Sequence, residues 1–384
     1  MRQTLRIAMI APPWTGLPPT RYGGIEVVCA GLVEGLVDRG HQVTLFGAGE
    51  NRTRAAFLQT YAEPQYSRLG QSLPECVHTA AVSRTLARLD VDLVHDHTCA
   101  GLLAASARSV PTVATMHGPI TAEVRRYVQD CAATTRGQGS LSVVAISDDQ
   151  RRRGADLPWL GRVHNGVRVR GFPFGARKED FVLFLGRCSA EKGMDVAIDV
   201  ARRAGRHLML AAKCNEPAEQ AYFDQYIRPR LGPGVTWLGE VGGQQKLDLL
   251  MRARCLIFPI QWDEPFGLVL IEAMSCGTPV VALRRGSVPE LVEEGVTGFT
   301  TTDSERLCEL VDHVDHISPT TCRRVARERF DVDQMAREYE QLYLQLIGSL
   351  PHPRSGDGRA HLAASPEDAL IAQLTPDPGE APLR

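Results

Sequence analysis

From its amino terminus the chain alternates short apolar runs with segments of helical period. Arg6 to Ala11 is a compact apolar run stopped by Pro12-Pro13, the pattern of a strand buried on both faces of a parallel sheet. A loop rich in Pro and Gly continues through Arg21-Tyr22-Gly23-Gly24. Ile25, Val28, Leu32 and Leu36 then recur at helical spacing until Gly40 stops them, and Gln42 to Phe46 resumes an extended pattern. Strand, loop, helix, strand is the unit that builds a parallel sheet through right-handed crossovers.

The alternation is sustained. Asp92 to His95, Thr112 to Met116 and Val143 to Ile146 read as further strands, with helical patterns near 77–89 and 99–108. Residues 160–176 hold no period, which places a domain boundary there. A second series follows: Phe181 to Leu185, His207 to Ala211, Val235 to Leu238, Cys255 to Phe258 and Pro279 to Leu283, separated by helical patterns over 194–204, 217–230, 244–252 and 267–276. The pattern predicts an α/β fold of two Rossmann-like, doubly wound parallel-sheet domains, residues 1–170 and 171–330. A helix over 331–348 follows, with Met335, Tyr339, Leu342 and Leu346 on one stripe. The last 36 residues, 349–384, hold six prolines and no Phe, Trp or Tyr, so they are expected to stay disordered.

Composition agrees with this division. A chain of 384 residues, 43% hydrophobic and 23% charged, suits two globular domains rather than a disordered or fibrous protein. The net charge of −2 leaves no broad basic field, which argues against nucleic acid as a partner. No apolar stretch approaches 18 residues, so no spanning helix is expected. The five apolar residues before Pro12-Pro13 are too few for a secretory signal, and the expected location is cytoplasmic. Ten cysteines without a Cys-x-x-Cys pair read as reduced thiols, with Cys29, Cys188, Cys255, Cys276 and Cys308 among apolar neighbours.

In open parallel sheets ligands bind at the carboxyl ends of strands, and four clusters fall there. Tyr22-Gly23-Gly24-Ile25-Glu26 would let backbone amides approach a phosphate at a helix start, although paired glycines also make plain turns. Gly186-Arg187-Cys188-Ser189-Ala190-Glu191-Lys192-Gly193 follows a strand. The chain has only four lysines (Lys178, Lys192, Lys213 and Lys246), so Lys192 in a Gly-bounded loop stands out. Arg187 and Lys192 together suit a diphosphate; the plainer alternative is a solvated loop with a salt bridge to Glu191.

The third cluster runs from Glu264 to Pro279. Glu264 precedes a helix beginning near Gly267, and Glu272 lies in its second turn among Val269, Leu270, Ile271, Ala273 and Met274. A carboxylate embedded in such a run is costly without a partner. The fourth gathers His117-Gly118 and Asn165-Gly166-Val167; a lone histidine at a strand end is either a site residue or a satisfied structural one. Asp90, Asp92, His95 and His97 tempt a metal reading. However, the aspartates precede a strand whose far end carries the histidines, a separation of ~13 Å, so no metal is expected.

In their shared order these segments resemble the retaining family 4, or group 1, glycosyltransferases of the glycosyltransferase B fold, over roughly residues 5–347. The most specific signature is Glu264-x7-Glu272 followed by Ala273-Met274-Ser275-Cys276-Gly277-Thr278-Pro279. Gly286-Ser287-Val288-Pro289-Glu290 and Gly295-Val296-Thr297-Gly298-Phe299 come next, with supporting matches at Gly23-Gly24-Ile25-Glu26, Met116-His117-Gly118, Asn165-Gly166-Val167, Leu185-Gly186-Arg187 and Glu191-Lys192-Gly193.

The resemblance implies that the second domain holds a nucleoside diphosphate sugar, the first holds the acceptor, and a hexose is transferred in the cleft between them. Glu272 would bind the ribose and Glu264 the sugar hydroxyls. Arg187 and Lys192 would hold the diphosphate, assisted by amides of Phe266, Gly267 and Leu268. Glu240 and Val241 would meet the base, Gly24 the phosphate from across the cleft, and His117 the sugar. The helix at 331–348 would cross back to the first domain. No metal or further cofactor is implied beyond the sugar nucleotide. A UDP-sugar is favoured over GDP-mannose; the acceptor is a small molecule or glycan shaped by loops 12–22, 47–75 and 119–140. Arg125-Arg126 and Arg151-Arg152-Arg153 could make weak peripheral contact with a membrane or form a solvated face. The alternatives are a nucleotide-sugar epimerase of the same fold and a non-catalytic nucleotide-sugar-binding protein.

Overall fold

The structure, a computed structural model, describes residues 3–19, 23–135 and 140–349. The expected tail therefore lies outside the described residues from position 350, as do parts of loops 12–22 and 119–140.

The first half runs β1 (Arg6–Ile10), α1 (Gly24–Asp38), β2 (Gln42–Ala48), β3 (Ala56–Tyr61), α2 (Ser72–Leu86), β4 (Leu93–Asp96), β5 (Thr112–Met116), α3 (Ala122–Thr134), β6 (Leu141–Ala145), α4 (Asp148–Arg153) and β7 (Trp159–Arg162). Its strands form one parallel sheet in the order β3-β2-β1-β4-β5-β6-β7. The second half runs β8 (Phe181–Arg187), α5 (Met194–Arg203), β9 (His207–Lys213), α6 (Pro217–Tyr222), β10 (Val235–Gly239), α7 (Gly243–Arg252), β11 (Cys255–Phe258), α8 (Leu268–Ser275), β12 (Val280–Leu283), α9 (Val288–Leu291), β13 (Gly298–Thr301), α10 (Leu307–His313), α11 (Pro319–Phe330) and α12 (Val332–Ser349). Its parallel sheet has the order β10-β9-β8-β11-β12-β13. Central strands such as β1, β4, β8, β11 and β12 are buried along most of their length because helices cover both faces.

The pattern missed β3, β7 and β13, all of which are edge strands. A strand paired on one side needs no continuous apolar run, and β3 has no fully buried residue. The helix expected over 99–108 is instead two short 3₁₀ turns, Ala100–Leu102 and Ala105–Ala107. A buried ion pair explains this. The Asp96 carboxylate receives Arg108 at 2.8 Å and the backbone and hydroxyl of Thr98 at 2.9 and 2.7 Å, and the chain folds around those bonds. Cys29, Cys188, Cys255 and Cys276 are buried free thiols, but Cys308 is only half-buried.

The chain leaves the first domain and returns to it side by side: Val167 N–H donates to Phe330 O at 2.9 Å and Val332 N–H to Val167 O at 3.2 Å. From there α12 lies across α1. The approach is close enough that a β-carbon on Gly35 would stand 2.6 Å from Cβ of Ala336. Further along α12, Tyr339 OH meets Thr115 Oγ1 at 2.7 Å and Tyr343 OH meets His95 Nδ1 at 2.6 Å. Its apolar stripe thus closes the core of the first domain although the helix follows the second.

Candidate active site

Strand order reverses between β1 and β4 in the first sheet and between β8 and β11 in the second. Loops leaving neighbouring strands diverge at such points and open a crevice at the carboxyl edge. The two crevices adjoin: a β-carbon on Gly24, the first residue of α1, would lie 3.4 Å from Leu268 Cδ1, at the start of α8.

On the second domain, Arg187 ends β8 and Lys192 follows in the next loop, while Glu264 lies in the loop after β11. The Lys192 ammonium and the Trp262 indole N–H, the latter at 3.0 Å, both donate to Glu264 Oε2, and Lys192 Nζ stands 5.3 Å from the Trp262 ring centre. Arg187 pairs with Glu191, the salt bridge that the plainer alternative expects, while Lys192 turns to Glu264 instead. Gly286 supports this loop. At φ +55°, its absent side chain leaves room for the Glu264 backbone, 2.4 Å from where a β-carbon would stand.

Glu272 lies in the second turn of α8, is 7% exposed, and accepts from Lys246 Nζ at 2.7 Å. This is the partner that its apolar surroundings require. Phe266 is buried with its carbonyl held by Ser287 Oγ at 2.6 Å, and Gly267 turns at φ +84° into α8. The first amides of α8, near Gly267 and Leu268, thereby stand at the crevice, where a helix start favours an anion. Glu240 and Val241 follow β10; Glu240 Oε2 accepts from Asn215 Nδ2 at 3.1 Å beside a depression lined by Cys214, Asn215, Trp237 and Gly239.

On the first domain, His117 follows β5 and its Nε2 lies 2.9 Å from Nδ1 of His97. Gln150 Nε2 donates to the carbonyls of Met116 and Gly118, both at 2.8 Å, and so holds the loop on either side of His117. Burial pushes the His117 imidazole down to about 4 and that of His95 to about 3, favouring neutral rings. Glu26, near the start of α1, is 4% exposed, and burial pushes its carboxyl up to about 7. Asn165 is buried on the crossing segment, and among the described residues its Oδ1 has no partner.

Asp90 and Asp92 pair with Arg6, away from His95 and His97 at the other end of β4, and among the described residues no three His, Cys, Asp or Glu side chains converge as metal ligands. Each arginine of the two basic segments has a carboxylate neighbour: Arg125 with Asp156, Arg126 with Asp130, Arg151 with Asp148, and Arg152 and Arg153 with Asp149. Little unneutralised charge is left there for a membrane. Among the described residues no helix is long and apolar enough to cross one.

Gln150 escapes the sequence reading altogether, while His97 enters it only as a metal ligand, Lys246 only as one of four lysines and Glu290 only as part of a motif. Glu290, from α9, accepts from the Asp148 and Asp149 amides at 2.7 Å each and faces His164 Nε2 at 3.2 Å. It thus caps α4, the helix carrying Gln150, from the other domain. The motif containing Glu290 is visible in the sequence, but the contact it makes 142 positions away is not.

Residues 172–325 match the family described as Glycosyl transferases group 1, and residues 22–170 match Glycosyltransferase Family 4. The glycogen synthase of Mycobacterium tuberculosis is 29% identical over 288 residues, covering 67% of this chain and 69% of that protein. Among solved structures, AviGT4, a glycosyltransferase involved in avilamycin A biosynthesis, superposes with a TM-score of 0.68 at 26% identity over 90% of this chain and 98% of its own. HepE of Anabaena, solved in complex with UDP-glucose, gives a TM-score of 0.68 at 20% identity over 90% of this chain and all of its own, a likeness of fold.

Proposed function

Since this chain is a group 1, family 4 glycosyltransferase, we propose that it moves a hexose from a nucleoside diphosphate sugar to an acceptor hydroxyl, with retention at the anomeric carbon and without a metal ion. The observation that carries the reading is the Lys192–Glu264 pair, set at the carboxyl ends of β8 and β11 before the start of α8, with Arg187 ending β8.

Breaking the anomeric bond leaves negative charge on the diphosphate while the sugar becomes oxocarbenium-like. Fixed cations and helix amides stabilise such a leaving group without reorganising at the moment of reaction. In this reading Arg187 and Lys192 take up the diphosphate with the amides of Phe266, Gly267 and Leu268. Lys192 then exchanges Glu264 for phosphate oxygens, which frees that carboxylate for sugar hydroxyls. Glu272 receives the ribose, Glu240 and Val241 meet the base, and Gly24 and His117 approach from the first domain. Closure of the two crevices would exclude water and favour transfer over hydrolysis. UDP is the nucleotide seen with HepE in the same fold and is the first to test, ahead of GDP-mannose. The acceptor is a small molecule or glycan.

The test is incubation of the full chain with radiolabelled sugar nucleotides and a panel of acceptors. Free nucleoside diphosphate and a glycosylated product, both appearing only with an acceptor, support the reading. An altered sugar still attached to its nucleotide, or binding without turnover, refutes it in favour of an epimerase or a binding protein.

A further inference from the structure

Two buried histidines, His95 and His97, lie beneath the cleft but take no part in the reaction proposed above. His95 is satisfied at both nitrogens: Tyr343 OH lies 2.6 Å from Nδ1 and Thr115 Oγ1 lies 2.7 Å from Nε2. His97 stacks on it with ring centres 4.1 Å apart and reaches His117 on its other side.

The contacts of His97 fix where its proton sits. Its Nε2 lies 3.1 Å from Met9 Sδ, a thioether sulfur that can only accept. Nε2 must therefore carry the hydrogen, which leaves Nδ1 of the neutral ring as a bare acceptor. Nδ1 lies 2.9 Å from His117 Nε2, so that nitrogen must donate. In the reverse arrangement the Nε2 lone pair of His97 would be buried against the lone pairs of sulfur, an unsatisfied acceptor costing about 1–3 kcal/mol. The choice passes from ring to ring. With its hydrogen on Nε2, neutral His117 has a bare Nδ1. Gln150 grips the main chain on both sides of His117 and so fixes the position from which the ring projects.

We propose that His97 is a positioning residue that locks His117 in its Nε2–H tautomer, so that His117 offers the cleft a hydrogen-bond acceptor alone, matched to a carbohydrate hydroxyl. The assignment of that hydroxyl rests on the transferase reading; the tautomer does not. The pair selects for O–H donors and against groups that only accept, such as phosphate oxygens.

The experiment is long-range proton–nitrogen correlation NMR on the full chain labelled with ¹⁵N-histidine, with the His117 signals identified by their loss in His117→Gln. At neutral pH the native protein should show His117 protonated at Nε2 and bare at Nδ1. In His97→Leu that pattern should give way to a mixture of tautomers, and kcat/KM should fall about tenfold, the size of one lost hydrogen bond. His97→Asn, whose side-chain oxygen can occupy the place of Nδ1, should restore both. A native His117 protonated at Nδ1 overturns the proposal whether or not any variant folds. An unchanged His117 pattern in His97→Leu overturns it too. Failure of the native chain to transfer sugar, with the predicted spectrum intact, would instead refute the transferase reading and leave the tautomer standing.

Discussion

Lys192 and Glu264, 72 positions apart in sequence, form an ion pair where the second sheet reverses its strand order. Both side chains are 13% exposed, so each charge has its partner in a poorly hydrated pocket. On the proposed reading, a diphosphate entering this crevice would offer Lys192 a stronger anion and release the carboxylate in the same movement.

On the proposed reading, Lys192→Ala removes the cation that would face the developing diphosphate charge. Losing one such donor typically costs about 3 kcal/mol of transition-state stabilisation, so kcat should fall about a hundredfold. Steady-state kinetics with the sugar nucleotide checks this; a change confined to KM would mean that Lys192 binds ground and transition states alike.

Glu290→Gln should loosen the contact between domains. The carboxylate accepts two amides at the start of α4 as well as His164, and the amide replacement can keep only part of this. The expected loss is about 1–3 kcal/mol by urea unfolding. Burial alone would raise the Glu290 carboxyl, but the bonds from His164 and the Asp148 and Asp149 amides outweigh it and hold it below its ordinary value. Its contribution is therefore present at pH values above the ordinary carboxylate range and disappears as pH falls below it, so native and variant stabilities should converge in acid.

Acid should destabilise the native protein before the carboxylates titrate. Burial pushes His78 and His117 down to about 4 and His95 to about 3, and it lowers His97 as well. As pH falls from about 6.5 the unfolded chain takes up protons on these rings that the folded chain refuses, and stability drops. Glu26, pushed up to about 7, and Glu75, also raised by burial, work in the opposite sense, but they are two groups against four. The urea midpoint should be lower at pH 5.0 than at pH 7.5, and Glu26→Gln should steepen the decline. An unchanged or higher midpoint at pH 5.0 would contradict the neutral assignment of the buried rings.

Gly35→Ala tests how tightly α12 is docked. The new methyl would stand 2.6 Å from Ala336 Cβ and 3.0 Å from Val332 Cγ1, and overpacking of this kind costs about 1–3 kcal/mol. Gly171→Ala, whose methyl meets nothing within 4 Å, is the matched control and should leave the urea midpoint nearly unchanged.

What the sequence disclosed follows from where its information is stored. The positions of Arg187, Lys192, Glu264 and Glu272 relative to the strands and helices were legible because each stands beside or within an element whose apolar pattern is strong. Lys246, Gln150, His97 and Glu290 were not, because their roles exist only through contacts with Glu272, the loop around His117, and the start of α4. Polarity alone marks none of them. The edge strands β3, β7 and β13 escaped for a related reason: paired on one side only, they need no unbroken apolar run.

The most direct measurement is a crystal structure of the full chain with an intact UDP-sugar. Arg187 and Lys192 should lie within hydrogen-bonding distance of the diphosphate, with the Lys192–Glu264 pair broken, Glu264 on the sugar and Glu272 on the ribose. A nucleotide bound elsewhere, or one that leaves Lys192 still paired with Glu264, would contradict the account.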